Sequence, residues 1–351
     1  MVTRRRAMLA ALLFLLPNLL GFAIFTLIPV GFSLLASFTN WNISQAVPLR
    51  WVGLDNYIAL LRSEPFWLYL VNTGYLMLGL PVAIGGSLFL ATLLSRPIRG
   101  GGLYRTLFYL PSFTAGIALY ILWKKLFNPT VGPINYALDT LLMPLHTGGE
   151  AVFTWWLWSY VPQQEWMGAL LDPPWWLAWT LVQSPSWLGS TQNLFALHPE
   201  HVQLNASQFG FGARDAIIVM GVWGAIGGGN MLLYIAGIAN IPRQLYEAAE
   251  IDGAGAWAKF RHITWPQLAP TTFFILVMSV IGGLQGGFEQ ARTLTEGGPA
   301  GTTTTLTYHI YNLAFEEFKI GYASAVSWVL FSMIFVVTLI NWRFGNSHVN
   351  E

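Results

Sequence analysis

Two amides sit inside stretches of chain that are otherwise apolar. Asn230 follows Gly227-Gly228-Gly229, and Gln285 lies within Gly282-Gly283-Leu284-Gln285-Gly286-Gly287. A carboxamide carries two donors and one acceptor without charge, a set that suits hydroxyl groups better than phosphates or cations. Polar groups in such surroundings are costly and usually have a use. The competing reading is interhelical hydrogen bonding, with the glycines allowing close packing. For Asn230 and Gln285 both readings stand, and for the glycines packing is the simpler one. Glu289 follows shortly after Gln285. Covalent and acid–base chemistry have little to work with. There is no cysteine, and the acidic residues lie in loops or near the ends of apolar runs, not clustered within them. His198-Pro199-Glu200-His201 offers two imidazoles without an evident third ligand, so it reads as a solvated loop and not a zinc site.

The most informative polar segment is Ile241–Pro270, IPRQLYEAAEIDGAGAWAKFRHITWPQLAP. Pro242 suits a first helical turn, where its missing N–H would be unpaired anyway. Gln244–Glu250 favours a helix, and Asp252-Gly253 marks a turn. A second short helix is expected from about Ala254 to His262, broken by Pro266 and Pro270. Small alanines and glycines would let another backbone approach closely, and Glu247 could accept its hydrogen bonds.

These residues must be held by something, and composition says what. The chain has 351 residues, of which 54% are hydrophobic and only 9% charged. An ordinary soluble domain has about 25% charged residues, so these side chains cannot furnish a polar shell. The apolar content excludes disorder, and the lack of a short repeat excludes a fibre. The formal charge of +1 and the absence of a basic stripe give no nucleic-acid partner. An integral membrane protein remains. Six stretches are long enough to cross a hydrocarbon core, near Met8–Ala36, Leu68–Leu94, Thr106–Trp123, Ala213–Ile238, Thr271–Phe288 and Tyr322–Trp342. The first follows Arg4, Arg5 and Arg6 but is too long for a signal h-region, and it reads as a retained helix.

Basic residues orient the helices. With the N-terminus inside, Arg4, Arg5, Arg6, Arg96, Arg99, Arg105, Arg243, Lys259, Arg261 and Arg343 are cytoplasmic, whereas Leu126–Ala213 has no Lys or Arg. The expectation is an all-α integral membrane protein, one transmembrane domain over residues 1–351 with six spans, N-in and C-in. An external insertion, residues 143–210, follows the third span. It carries Trp155, Trp156, Trp158, Trp166, Trp175, Trp176, Trp179 and Trp187, while Pro162, Pro173 and Pro174 keep its apolar runs short. Tryptophan favours a wet–apolar boundary, so short helices on the outer leaflet or against the bundle are expected. A docking surface for an external partner is the alternative.

Within residues 241–270, EAA at 247–249, DGA at 252–254, Phe260, Ile263, Pro266 and Pro270 resemble the EAA loop of binding-protein-dependent ABC importer permeases, with Trp265 in place of the usual aliphatic residue. Leu294-Thr295-Glu296-Gly297-Gly298-Pro299, Tyr308–Tyr311, Ala314-Phe315 and Gly321-Tyr322-Ala323-Ser324-Ala325 resemble the carbohydrate-uptake (maltose and glycerol-3-phosphate) branch. So do Ser37–Trp41, Val52–Tyr57 and Asn72-Thr73. The resemblance implies a sugar permease of the bacterial inner membrane. It would work with a second homologous permease, a cytoplasmic ABC ATPase dimer and an extracytoplasmic solute-binding protein. Glu247, Ala248, Ala249, Asp252, Gly253 and Ala254 would form the cytoplasmic contact with the ATPase. The chain has no Gly-Lys dipeptide and hence no Walker A loop. It therefore needs no cofactor of its own and is not an enzyme; ATP and Mg would be bound by the partner. Asn230, Gln285, Gly287 and Glu289 would be the substrate contacts. The absence of Arg or Lys in mid-span weighs against an anionic solute. Glycerol-3-phosphate or another polyol is the alternative, and a stand-alone secondary transporter is the alternative from a different class.

Overall fold

The computed structural model describes residues 4–43, 48–114, 116–138, 140, 186–195 and 210–349, and among them it is helical, with one isolated bridge between Thr39 and Trp51. Most of the tryptophan-rich insertion, the His198 and His201 pair included, lies outside the described residues. Among the described residues four helices are long and apolar enough to cross a membrane: α1 (Leu12–Ser37), α2 (Glu64–Leu94), α5 (Ala213–Ala239) and α9 (Ile320–Asn341). Two bent pairs pass only when each is taken as one span. They are α3 (Gly101–Phe113) with α4 (Gly116–Leu126), at 94°, and α7 (Ala256–Gln267) with α8 (Ala269–Gln285), at 63°. A short helix, α6 (Arg243–Ile251), precedes the second pair. Large apolar side chains stand exposed along these helices, Phe14 and Phe25 on α1 among them, as a lipid-facing surface requires.

Proline and glycine set the breaks. In α2 the helix is interrupted at Met77 and Leu78; Pro81 has no N–H for the Met77 carbonyl, which accepts from the Leu80 N–H instead (2.9 Å). In α1 a widened π turn, Ala23–Leu27, precedes Pro29. In α5, Gly228 is extended, and a Cβ on Gly227 would run into the Phe108 carbonyl. The helix therefore breaks where the end of α3 presses against it. The expected short helix begins at Ala256 and runs past His262 to Gln267, and its break, a 63° bend at Leu268, falls between Pro266 and Pro270. Phe260–Thr264 forms a π turn in which the Trp265 N–H reaches the Phe260 carbonyl, and the helix continues through Pro266 to Gln267. Pro270 sits in the first turn of α8, where no N–H partner is needed.

By contacts the chain forms two compact units, Met1–Phe66 with His309–Phe335, and Trp67–Tyr308 with Val336–Glu351. In the first, the segments around Ser37, Asn56 and Gly321 meet. Asn56 donates to the carbonyls of Ser37 and Thr39 (both 2.8 Å), and the Gly321 N–H donates to the Trp41 carbonyl (2.9 Å). Trp328 Nε1 donates to Ser33 Oγ (3.1 Å). The second unit has two apolar clusters. One joins Leu88, Ala91 and Leu94 of α2 to Met231 and Tyr234 of α5, with Ile241, Leu268 and Ile275. The other gathers Tyr120, Trp123, Phe127, Ala216, Ile217, Met220 and Leu294 around Trp187. Trp187 is buried and donates from Nε1 to Asn135 Oδ1 (2.6 Å).

Beside the Trp187 cluster lies a buried polar group at the start of α5. Asp215 Oδ1 accepts from the Tyr75 hydroxyl (2.6 Å), and Oδ2 accepts from the backbone N–H groups of Gly212 (3.2 Å) and Leu194 (3.3 Å). The Arg214 guanidinium lies 4.9 Å from the centre of the Tyr75 ring and donates to Asn72 Oδ1 (3.4 Å). Asn72 donates in turn to the carbonyls of Gly301 (2.8 Å) and Thr304 (3.0 Å). Arg214 and Asp215 are 1% and 2% exposed. Removing one of two compensating buried charges costs about 3–5 kcal/mol, because the other is left behind. Arg214→Ala and Asp215→Asn are each expected to destabilise the detergent-purified protein by about that much; if the asparagine oxygen keeps the Tyr75 hydroxyl, its NH2 faces the Gly212 and Leu194 N–H groups, and Arg214 is left uncompensated. Thermal unfolding of the two variants beside the parent measures both.

Candidate functional site

The second unit contains a cavity of ≈ 270 Å³ bounded by α2, α5 and α8. Its polar lining comes from Thr73, Asn230, Ser279, Gln290 and Thr305, and its backbone surface from Gly282, Gly283, Gly286 and Gly287. Small residues make the space. A Cβ on Gly282 would meet nothing within 4 Å, whereas one on Gly283 would press Met77 Cγ at 2.9 Å. Gly287 turns the chain with φ +86°, and a Cβ there would collide with Thr305. Thr307 Oγ1 donates to the Gly286 carbonyl (2.8 Å) and ties the returning segment to this turn. The described lining includes hydroxyls, amides and peptide groups, and no Asp, Glu, Lys, Arg or His.

Of the four expected substrate contacts, Asn230 and Gly287 line this cavity; Gln285 and Glu289 do not. Gln285 is exposed away from the cavity, and the Glu289 carboxylate lies beside Gly116. Helical spacing explains the split. Ser279, Gly282, Gly283 and Gly286 share one face, and Gln285 falls off it. The chain then turns at Gly287 and brings Gln290 back to the wall. Ser279 was available from that periodicity. Gln290, Thr73 and Thr305 were not, since a turn and two distant segments bring them in.

The loop after α5 is ordered around Gly253. The Gly253 N–H donates to the Glu250 carbonyl (3.1 Å) and the Ala254 N–H to the Ala249 carbonyl (2.8 Å). With φ +78° at Gly253, this is the Schellman stop that ends α6. Tyr246 and Thr264 share a hydrogen bond (2.8 Å), and Tyr246, Phe260 and Ile263 pack on the Leu88–Met231 cluster. Lys259 Nζ pairs with Glu250 Oε1 (2.8 Å) across the turn. Glu247, Ala248, Asp252 and Gly253 are exposed; Ala249 and Ala254 are half-buried.

Residues 83–344, from the middle of α2 to beyond α9, match the family described as binding-protein-dependent transport system inner membrane component. The chain belongs to this family. This permease is 32% identical to a probable ABC transporter permease protein, YesP, of Bacillus subtilis, over 97% of this chain and 91% of that one. It is 29% identical to the lactose transport system permease protein LacF of Rhizobium radiobacter, over 94% and 92%. It is also 29% identical to the sn-glycerol-3-phosphate permease UgpA of Agrobacterium fabrum, over 86% and 83%. The fold is similar to a chain of a bacterial ABC transporter involved in alginate import, with TM-score 0.68 and 23% identity, covering 98% of this chain and 96% of that one. As a family member, this permease is an inner-membrane protein.

The first unit holds a more open hollow of ≈ 560 Å³, lined by Ser63, Pro65, His309, Leu313, Glu317 and Lys319, among others. Burial pushes the His309 imidazole below its ordinary value; Glu317 opposes this and Lys319 adds to it. The folded state therefore keeps His309 neutral where the unfolded chain takes up a proton. Its stability contribution is complete above about pH 6.5 and declines as the pH falls below that. His309→Gln is expected to flatten this acid-side decline in a pH series of unfolding temperatures. At the other glycine-controlled contact, Gly227→Ala should cost about 1–3 kcal/mol by overpacking against Phe108, whereas Gly229→Ala, with open space around it, should be near neutral. Unfolding temperatures of these two variants distinguish them.

Proposed function

We propose that this chain is the membrane-spanning permease subunit of an ATP-driven ABC importer that carries a neutral sugar or oligosaccharide into the cell by alternating access. The observation that supports the solute class is the uncharged lining of the α2–α5–α8 cavity in a member of this family, mainly apolar through Leu76, Met77, Ile217, Ile218 and Val222, with a few hydroxyls and amides among them. Amides and hydroxyls match sugar hydroxyls. A phosphate or carboxylate brought there would be desolvated without a cation to compensate it. Arg214 does not serve, since its guanidinium is held on Tyr75 and Asn72. This weighs against the glycerol-3-phosphate alternative, although some relatives bear that name.

The assembly follows the family plan. α1, α2, the α3–α4 pair, α5, the α7–α8 pair and α9 are the six spans, N-in and C-in, which puts residues 241–270 in the cytoplasm and residues 143–210 outside. A second homologous permease completes the pore, a binding protein delivers solute from outside, and an ABC ATPase dimer seats on Glu247, Ala248, Ala249, Asp252, Gly253 and Ala254. ATP and Mg belong to those ATPase subunits. Closure of the ATPases would move the loop as a body, and the apolar cluster under Tyr246, Phe260 and Ile263 would pass that motion to α2, α5 and α8.

Uptake of radiolabelled neutral disaccharides and of glycerol-3-phosphate into cells carrying the intact transporter tests the solute class. Saturable disaccharide uptake is expected, with no competition by glycerol-3-phosphate; the reverse would overturn it. Gln290→Ala should lower apparent solute affinity about five-fold, the worth of one neutral hydrogen bond, and Gly282→Leu should block the cavity without preventing folding. Glu247→Lys or Gly253→Asp should leave the protein in the membrane and ATP hydrolysis running while uptake stops. Full uptake in both would sink the ATPase-contact assignment.

A further inference from the structure

Resting on the reading of residues 241–270 as the ATPase contact, we propose that Ile251 and Trp257 are the two apolar anchors of that contact. On this view the carboxylates and alanines of α6 set its register and contribute less to its strength. Ile251, the last residue of α6, is 87% exposed, and Trp257, in the first turn of α7, is 70% exposed. They flank the bare turn Asp252–Ala256. A Cβ on Gly253 or Gly255 would meet nothing within 4 Å, so the backbone between the anchors is open to close approach.

Two large apolar groups either side of an uncovered backbone are the arrangement found at interface hot spots, where an aromatic or aliphatic anchor fills a pocket. Both are held in place. Trp257 stacks on Phe260 (ring centres 5.5 Å apart, planes at 23°), and Phe260 packs on the apolar cluster below. Ile251 is fixed by the Schellman stop, and the Glu250–Lys259 pair closes the turn across which the anchors stand. Motion forced on either anchor is therefore delivered to α7 and the helices beneath it.

The charge pattern selects the occupant. Around the anchors the chain carries Glu247, Glu250 and Asp252, with Arg243 at the far end of α6 and Lys259 and Arg261 beyond Trp257, Lys259 being paired with Glu250. The anionic inner leaflet attracts basic segments and repels acidic ones, so these exposed groups are not placed for a lipid surface. They fit a protein groove with apolar walls and a basic rim.

The chain has no cysteine, so Ile251→Cys and Trp257→Cys each introduce one reporter without background in this subunit. The protein used is the intact transporter in inside-out membrane vesicles, and the probe is the ATPase that co-purifies with this chain, stripped with urea and added back. Both cysteines are expected to react with maleimide at least ten-fold faster on stripped vesicles and to be protected again on re-addition. Equal reactivity with and without ATPase overturns the proposal, as does quenching of a label at 257 by brominated lipid in the presence of ATPase. In re-binding titrations, Ile251→Asp and Trp257→Ala should each weaken ATPase binding on the order of 30-fold, the loss typical of a hot spot. Trp257→Phe, which keeps the stack on Phe260, should recover most of it and excludes a folding defect. Glu247→Lys separates the two levels of failure. If it weakens re-binding while the Ile251 and Trp257 variants do not, the anchors are wrong and the ATPase contact stands; if all three bind as the parent does, the contact itself fails.

Discussion

The carboxylate of Asp215 organises the half of the larger unit that holds the start of α5. A charge this buried is tolerated only if its lone pairs are filled, and three donors fill them: the Tyr75 hydroxyl and the N–H groups of Gly212 and Leu194. Tyr75 serves twice, since its ring also carries the Arg214 guanidinium, which reaches Asn72 and through it the carbonyls of Gly301 and Thr304. The start of α5, the first part of α2 and the segment after α8 are thereby fixed to one another. Thr73 and Thr305, each next to a member of this network, are then on the cavity wall. Neither Arg214 nor Asp215 reaches the cavity, whose described lining carries no charged side chain.

Packing takes over in the other half. The cluster around Ala91, Met231 and Leu268 contains no charged side chain, and the loop after α5 is built onto it through Tyr246, Phe260 and Ile263. A close-packed contact of this kind transmits displacement because it has no slack. The same helices, α2, α5 and α8, contribute to this cluster and wall the cavity. Glycine makes the arrangement compact: Gly227 lets the backbone at Phe108 touch α5, and Gly283 lets Met77 touch α8.

Much of this was legible in the residues themselves. The apolar runs located the four membrane-length helices among the described residues within a few residues, and Asp252-Gly253 marked the turn that ends α6. The motif segments at Ser37–Trp41, Val52–Tyr57 and Gly321–Ala325, far apart in sequence, come together in the first unit as hydrogen-bonded neighbours. Other features were misread for identifiable reasons. Pro266 looks like a helix breaker because a standard turn would need its N–H; the π turn before it changes which carbonyls are left over. Gln285 is polar yet does not line the cavity, because the face of the helix, not polarity, decides what a side chain meets. Arg214 stands at the start of α5, and its burial follows from a partner 142 residues away in the chain, Asn72.

The sequence by itself determined where the protein lives and which stretches are helical. These follow from composition, periodicity and local turn chemistry, which act over a few residues at a time. Only the tertiary structure decided which polar groups face the cavity, which are consumed in holding it open, and that Ile251 and Trp257 stand out from the surface. Those outcomes depend on contacts between segments distant in the chain, and a single sequence carries no measure of distance between them.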